Sequence, residues 1–435
     1  ESVARAIETL MKNRVLAKKI AKAGQELVRA HYDWTFIAKE MENTMVNLIS
    51  RQRILLVTGI YPPEMGGAAS FTVFAEQQLA NAGFAVSVVT YGEREGDGVT
   101  AVTRSLPKGI RHLKFLMRVI AHARSHNLVF SADSSFGAGF LAACGARMAS
   151  RPFAIRVTGD YAWEQGVQRF GIKDSLEAFQ KKKFKPFKVF LLAIFQQIEV
   201  KLARVVVVPS SYLGSLVGKW GIRETRIRKV PNAAYFHMPR ISKIAVREKM
   251  GLKGIILVSA GRLVPWKGFE SLIGVVQNLK REFDNLSLLI IGEGPEEQRL
   301  KSLVRLRGLE KIVRFEGVVK KEQLAEYLIA GDLFVLNTGY EGFSHQIIEA
   351  MSAGIPVLTT RVGGNPEIIR DGENGILVPL GNNEALEEAL RTLLQNEKLR
   401  KRIGLNGKKQ AAWFTEERAA SELITVVKEL LDHSS

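Results

Sequence analysis

The sequence predicts an α/β chain of two doubly wound parallel-sheet, Rossmann-like domains facing a cleft, with an extra N-terminal helical segment. Three observations carry that prediction. From residue 53 onward, short β-rich runs alternate with helical segments. Those runs are almost continuously apolar, as strands covered on both faces of a parallel sheet must be. The 435 residues, 46% of them apolar, are enough for two or three cores and exclude a disordered or low-complexity chain.

Residues 1–50 stand outside the alternation and read as two amphipathic helices. They resemble the chain's own tail. At an offset of 383, Glu1, Ala6, Thr9, Leu10, Asn13, Leu16, Lys18, Ile20 and Gly24 match Glu384, Ala389, Thr392, Leu393, Asn396, Leu399, Lys401, Ile403 and Gly407. One inserted residue then aligns Tyr32 with Phe414 and Ala38 with Ala420. The expectation is that 1–50 is the tail of another copy of the second domain, preceding a complete two-domain unit.

In the first domain, 51–235, the strands are read as RILLVTGIY, AVSVVTYG, VTAVTRSL, LVFSAD, FAIRVTGD and VVVVPS. In the second, 236–415, they are GIILVSAG, LSLLIIGEG, IVRFEGVV, LFVLNT, IPVLTT and GILVP. The join lies around VPNAAYFHMPR (230–240), and 416–435 is read as a C-terminal helix packing back toward the first domain. Ligands of such sheets bind beyond the carboxyl ends of the strands.

The net charge of +18 is one-sided. Residues 51–240 hold 27 basic and 12 acidic side chains, whereas 241–435 hold 27 and 26. Two stretches stand out. IRHLKFLMRVIAHARSH (110–126) reads as a helix with Leu113, Leu116, Met117 and Ile120 on one face and Arg111, Lys114, Arg118 and Arg124 around it. In QKKKFKPFKVFLLAIFQQIEVKLA (180–203), Phe187, Phe190, Leu191, Ile194, Phe195, Ile198 and Leu202 recur at helical spacing. Lys181, Lys182, Lys183, Lys185 and Lys188 crowd its N-terminal end, where cations oppose the helix dipole and an external anion explains them better. The excess is either a solvated face or a surface for an anionic membrane or a phosphate-bearing acceptor. Nucleic acid is not expected, for no RNP, KH, helix-turn-helix or zinc-finger pattern is present. No apolar run approaches the ~20 residues of a membrane span. The single Cys144 excludes an internal disulfide and fits a reducing compartment. The expected location is cytoplasmic, peripheral on the inner face of the cell membrane.

The chemistry concentrates in three loops. In YEGFSHQIIEAMSAG (340–354), Glu341 lies just past a strand end and Glu349 about a turn into the next helix. The N–H groups of Gly342, Phe343 and Ser344 then sit at a helix N-terminus, suited to a phosphate, with Glu349 able to meet a sugar hydroxyl. In SAGRLVPWKG (259–268), Arg262 and Lys267 follow a strand and suit a diphosphate. In GIYPPEMGGAAS (59–70), Gly66 and Gly67 allow close backbone approach to a ligand, although a plain turn explains them equally well.

Together these elements resemble the retaining glycosyltransferases of the GT-B fold, family 4. EGFSHQIIEA is similar to that family's E-x7-E motif, GRLVPWKG to its Arg/Lys loop and PEMGG to the glycine loop of its first domain. VGGNPEII (362–369) and DGENGILV (371–378) resemble its following segments, and the likeness spans about residues 51–433. RVTGDYAWEQG (156–166) and PSSYLGSLVGKWGI (209–222) resemble a bacterial subgroup acting in surface-polysaccharide or glycolipid assembly.

The resemblance implies a retaining transfer from a nucleotide-diphosphate sugar, UDP- or GDP-linked, to a lipid-linked or other membrane-associated saccharide. It implies that Glu341 contacts the donor sugar near its reacting carbon and Glu349 the ribose hydroxyls. Arg262 and Lys267 then neutralise the leaving diphosphate, and the amides of Gly342, Phe343 and Ser344, with Gly66 and Gly67, complete its cradle. No metal is implied, there is no D-x-D to hold one, and no cofactor is expected beyond the substrate nucleotide sugar. One departure stands out. Where many relatives carry a His at the end of the strand read as IRVTGD, this chain offers Thr158, Gly159 and Asp160. Asp160 either serves the acceptor hydroxyl or only caps the following helix. Lys114, Arg118 and Lys181, Lys182, Lys183 and Lys185 are the expected membrane or acceptor contacts.

Two rival classes share the outline: a sugar-nucleotide epimerase of the same fold, and a non-catalytic glycan- or membrane-binding module. GAGFLA (137–142) fits G-x-G-x-x-A, but Asp133 to Phe136 separate it from the strand, so the tight turn of a dinucleotide site is absent.

Overall fold

A computed structural model describes residues 2–31, 34, 37–39, 41, 51–64, 66–93, 96, 98–234 and 238–432. The chain divides into two compact units, 1–52 and 53–435.

In the first unit, helices Ser2–Lys12 and Arg14–His31 meet at Asn13, whose side chain accepts from Leu16 N–H at 3.0 Å. The matching helices of the second unit, Asn383–Gln395 and Glu397–Ala411, meet at Asn396, which accepts from Leu399 N–H at 2.9 Å. Both asparagines satisfy an N–H that a helix start leaves orphaned. The burial differs. Leu386, Leu390 and Leu394 are in the core, while their counterparts Val3, Ile7 and Met11 are 71, 53 and 77% exposed. The pairing of Tyr32 and the helical reading of 42–50 fall outside the described residues.

The second unit contains two wholly parallel sheets. β1 (Arg53–Val57), β2 (Ala85–Tyr91), β3 (Val99–Val102), β4 (Leu128–Ser131), β5 (Phe153–Arg156), β6 (Val205–Val208) and β7 (Ile227–Lys229) stand in the order β3-β2-β1-β4-β5-β6-β7. β8 (Ile255–Ala260), β9 (Leu286–Ile291), β10 (Val313–Gly317), β11 (Leu333–Leu336), β12 (Val357–Thr360) and β13 (Ile376–Val378) stand in the order β10-β9-β8-β11-β12-β13. All twelve runs read from the sequence form strands. The thirteenth, β7, is an edge strand of sequence IRK, too short and polar to show the apolar signal of its neighbours.

Helices cover both faces of each sheet and bury the alternate residues of the central strands in two cores per domain. The last helix, Glu416–Asp432, leaves the second domain and packs Leu423, Val427, Leu430 and Leu431 with Ile54, Phe71, Phe74 and Leu79 of the first. The chain therefore crosses between the domains twice. The two crossings touch, since Ala234 N–H reaches the Phe414 carbonyl at 3.4 Å.

Two helices turn a different face inward from the one their spacing suggested. Helix Lys108–Ala123 packs through Phe115, Val119, Ile120 and Ala123, and exposes Leu113 and Met117 together with Ile110. Its apolar residues lie on more than one face, so periodicity alone does not select the inner stripe. Contact with helix Leu141–Met148 does: a Cβ on Gly145 would lie 2.5 Å from Val119 Cγ1, so only glycine admits this approach. Helix Phe187–Leu202 buries Val189, Gln196, Glu199 and Val200, leaving Phe187, Phe190, Ile198 and Leu202 on the surface.

Candidate active site

Strand order reverses between β1 and β4 in one sheet and between β8 and β11 in the other. A crevice opens beyond the carboxyl ends of strands at such a switch point. Each domain has one, and each carries part of the site.

On the second domain, the loop after β8 holds Lys267 in a short turn, Pro265–Lys267, and the loop after β11 holds Glu341. Lys267 Nζ donates to Glu341 Oε1 at 2.5 Å, with both side chains about nine-tenths buried. The next peptides are fixed by their carbonyls. The Glu341 carbonyl accepts from Gly364 N–H at 2.9 Å, that of Gly342 from Ser210 Oγ at 2.7 Å and that of Phe343 from Asn232 Nδ2 at 2.7 Å. Because C=O and N–H of a trans peptide point oppositely, the N–H groups of Gly342, Phe343 and Ser344 face away from those partners. Among the described residues none of the three donates to a protein acceptor. Ser344 caps helix His345–Ala353, so the three amides stand at its positive end.

Glycines make this loop possible. A Cβ on Gly342 would lie 2.3 Å from the Thr158 carbonyl of the first domain, and one on Gly363 (φ +53°) would lie 2.0 Å from the Glu341 carbonyl. The domains are clamped again where Glu367 accepts from Ser211 N–H at 2.9 Å and Tyr212 N–H at 2.8 Å, filling the N-terminus of helix Ser211–Lys219. These groups bound a cleft cavity of about 250 Å³, whose walls include Lys267, Glu341, Gly342, Phe343 and Ser344. Gly67 and Ala68 join it from helix Gly67–Asn81, which has neither a side-chain cap nor an acid in its first turn.

A second cavity, of about 750 Å³, lies over the switch point of the first domain and shares Ala68, Thr158 and Glu164 with the first. Glu164 is the residue that the sequence reading missed. It sits on helix Tyr161–Arg169, and its Oε1 would be only 2.3 Å from a Cβ on Gly159. The space beside Gly159 is thus filled by a carboxyl group reaching back from the next helical turn. Burial, reinforced by Asp160, pushes this carboxyl up to about 7, against the pull of Arg262 and Lys267. A usable signal was present, for an acid one turn into a helix after a strand end is the argument applied to Glu349.

The other candidate residues fall as follows. Arg262 is exposed, off the cavity wall, with its charge acting on Glu164. Glu349 is buried in helix His345–Ala353, outside the wall of the 250 Å³ cavity, and burial raises it to about 7 with Lys321 opposing. Gly66 precedes the first turn of its helix at φ +156°, and Gly67 rather than Gly66 reaches the cavity. Asp160 has the capping position of its two alternatives: it accepts from Trp163 N–H at 2.9 Å and from Gln180 Nε2, and lines neither cavity.

Lys114 and Arg118 are exposed on helix Lys108–Ala123 beside the outward Ile110, Leu113 and Met117. Lys181, Lys182 and Lys183 are exposed, and Lys182 pairs with Asp174 at 2.7 Å. Lys185 is half-buried, donates to the Lys182 carbonyl at 2.7 Å and covers the Phe179 ring. Between them Phe184 is 92% exposed.

Comparison with known proteins gives a consistent picture. The family model described as "Glycosyltransferase Family 4" matches residues 65–234, and that described as "Glycosyl transferases group 1" matches 242–410. The chain is 30% identical over 229 residues to mannosylfructose-phosphate synthase of Agrobacterium fabrum, covering 50% of each protein. It is 36% identical over 163 residues to phosphatidyl-myo-inositol mannosyltransferase of Mycobacterium leprae, covering 37% of this chain and 43% of that one. The matches thus span about half the length of these relatives or less. Among solved structures, sucrose-phosphate synthase from Thermosynechococcus elongatus superposes with a TM-score of 0.72 at 20% identity, over 88% of this chain and 100% of that one. Anabaena HepE in complex with UDP and glucose gives 0.69 at 17%, over 87% and 99%. At those identities the likeness is one of fold. With a domain model matched on each side of the cleft and the fold shared throughout, the chain belongs to family 4 of the GT-B glycosyltransferases.

Proposed function

We propose that the protein is a retaining, metal-independent glycosyltransferase using a UDP- or GDP-linked sugar. Its acceptor is a lipid-linked or membrane-associated saccharide met at the inner, anionic face of the cell membrane. The observation that carries this reading is the buried Lys267–Glu341 pair beside three N–H groups that no protein acceptor occupies among the described residues. Cations and fixed amides suit a diphosphate whose negative charge grows as its bond to the sugar breaks. Donors aimed at developing charge lower the barrier rather than only tightening binding. HepE, solved with UDP and glucose, supports the nucleotide-sugar donor by fold.

In the reaction the bond from the anomeric carbon to the diphosphate oxygen breaks, and its electron pair leaves with the nucleoside diphosphate. The acceptor oxygen bonds the same carbon from the same face, and its proton is released. Glu341 lies beside the reacting carbon, held by Lys267. Glu164, at the junction of the two cavities, takes the hydrogen bond of the acceptor hydroxyl. Glu349 serves the ribose hydroxyls and Arg262 the outer edge of the diphosphate.

The membrane reading rests on exposed apolar residues interleaved with cations: Ile110, Leu113 and Met117 with Lys114 and Arg118, and Phe184 and Phe187 with Lys181 and Lys183. Such surfaces insert shallowly among anionic headgroups. No helix among the described residues is long and apolar enough to cross a membrane. A relative named phosphatidyl-myo-inositol mannosyltransferase supports a lipid acceptor.

The test is incubation with UDP- and GDP-sugars, with and without lipid extracts. Nucleotide release that requires acceptor, an α-linked product from an α-linked donor by NMR, and insensitivity to EDTA are expected. Isomerised free nucleotide sugar would point instead to an epimerase, and binding without turnover to a non-catalytic module.

A further inference from the structure

The larger cavity has a chemistry of its own at the end away from Glu164. Its floor is Tyr91, with the Arg104 and Arg111 guanidinium groups each 5.6 Å from the ring centroid. Lys108 and Arg111 belong to the first turn of helix Lys108–Ala123, which starts after Pro107 with no side-chain cap and no acid in that turn. Arg169 enters from the end of helix Tyr161–Arg169.

The charges do not cancel internally. Arg104 is spent on Glu64, with two contacts at 2.7 and 2.8 Å. Arg111 donates through Nη1 to the Arg104 carbonyl, while its Nε is buried with no hydrogen-bond partner. Among the described residues, no carboxylate forms an ion pair with Lys108, Arg111 or Arg169. Asp133, the other acid of the cavity, is occupied by Gly59 N–H at 2.6 Å and Ser135 Oγ at 2.7 Å. Burial, with Arg111 and Lys108 beside it, pushes the His112 imidazole below its usual range. Three cations and an open helix N-terminus therefore face one space, none of the three ion-paired with its two carboxyl groups, Asp133 and Glu164.

We infer that this space binds a phosphoryl group carried by the acceptor. The inference deepens the proposed function and rests on it in taking the occupant to be the acceptor. Three unpaired cations exceed what one carboxylate balances, and a phosphate monoester or diphosphate matches both the charge and the forked donors of arginine. Glu164 and Arg169 line the same cavity from one helix, so an acceptor hydroxyl at Glu164 and its phosphate at Arg169, Arg111 and Lys108 occupy one continuous space.

The test fills the donor site with saturating UDP and GDP and titrates inorganic pyrophosphate by calorimetry. A second pyrophosphate site is expected. Its affinity falls about 10-fold or more in each of Arg111→Gln, Arg169→Gln and Lys108→Gln, and is unchanged in the distant Lys219→Gln. Thermal unfolding of each variant controls for misfolding. Absence of the second site, or equal affinity in all variants, overturns the inference. Failure of the functional reading shows separately, as no stabilisation by UDP or GDP. Turnover then identifies the source of the phosphate. Faster nucleotide release with a monosaccharide phosphate marks a soluble acceptor, and with a polyprenyl-diphosphate sugar in micelles a lipid one. Equal stimulation by the phosphate-free sugar overturns the inference.

Discussion

The β8/β11 side of the cleft and the β1/β4 side occupy equivalent places in two sheets of the same plan, yet they are finished differently. The first is narrow, about 250 Å³, and the Glu341 carboxylate and the carbonyls of Glu341, Gly342 and Phe343 are all held by other protein groups. The second is wide, about 750 Å³, and carries Lys108, Arg111 and Arg169, which have no ion-pair partner among the described residues. Net charge follows the same division, +15 over 51–240 and +1 over 241–435. A side that must hold one invariant group can be built rigid. On the proposed reading, the side that meets the acceptor is the roomy, charged one, and the cations lining it set specificity.

The sharpest way to break that contrast is to loosen the rigid side. Glu341→Gln or Lys267→Met should lower kcat about 10²–10³-fold in a nucleotide-release assay. Each also strands a buried charge, so denaturant unfolding should show a loss of about 3–5 kcal/mol. Equal damage to acceptor KM alone would place the pair on the wrong side of the cleft.

Glu164 stands where the two sides meet. Its carboxyl, raised to about 7, is mostly protonated below that pH and ionised above it, so kcat should climb as pH rises through about 7. Glu164→Gln should cost about 10²-fold and flatten that limb. A limb that survives the substitution would belong to another group, with Glu349 the candidate.

The wide side should respond at the membrane. Replacing Ile110, Leu113 and Met117 together by Ser should weaken sedimentation with phosphatidylglycerol vesicles about 10-fold or more, while donor affinity stays constant. Vesicle binding that survives this change, and survives neutralising Lys181 to Lys185, would remove the membrane from the comparison. The smallest effect belongs to the clamp: Ser210→Ala frees one carbonyl, about 1 kcal/mol, and should raise donor KM about 5-fold.

These differences also explain what was legible in the sequence. The Lys267 and Glu341 loops announce themselves because strand end, cation or acid, and helix start are contiguous in GRLVPWKG and YEGFSHQIIEA. The Arg111–Arg169 cluster was hidden for the opposite reason: the two arginines lie 58 residues apart in the chain and are marked by having no ion-pair partner among the described residues, and Glu164 answers to Arg262 and Lys267, 98 and 103 residues away. Burial was legible only in part. Helix Lys108–Ala123 carries apolar residues on more than one face, and the fit of Val119 over Gly145 decided which faced inward. The repeated helix pairs make the same point, since Ile7 and Leu390 hold corresponding places around capping asparagines, one exposed and one in the core. Periodicity specifies a helix with an apolar side; it does not say what that side rests on.

The double crossing between the domains has a mechanical consequence. A cleft joined by one segment can swing freely, but one joined by two adjoining segments turns mainly about the line through both. That line passes by Ala234 and Phe414, and the Phe414 ring stands edge-on to Phe343, 5.5 Å between centroids. That line is thus in contact with the very loop whose three amides face the cleft. Loss of the final helix would strip a cover from Phe71, Phe74 and Leu79, so damage at the extreme C-terminus would register as instability of the first domain and slack in the joint it shares with the second.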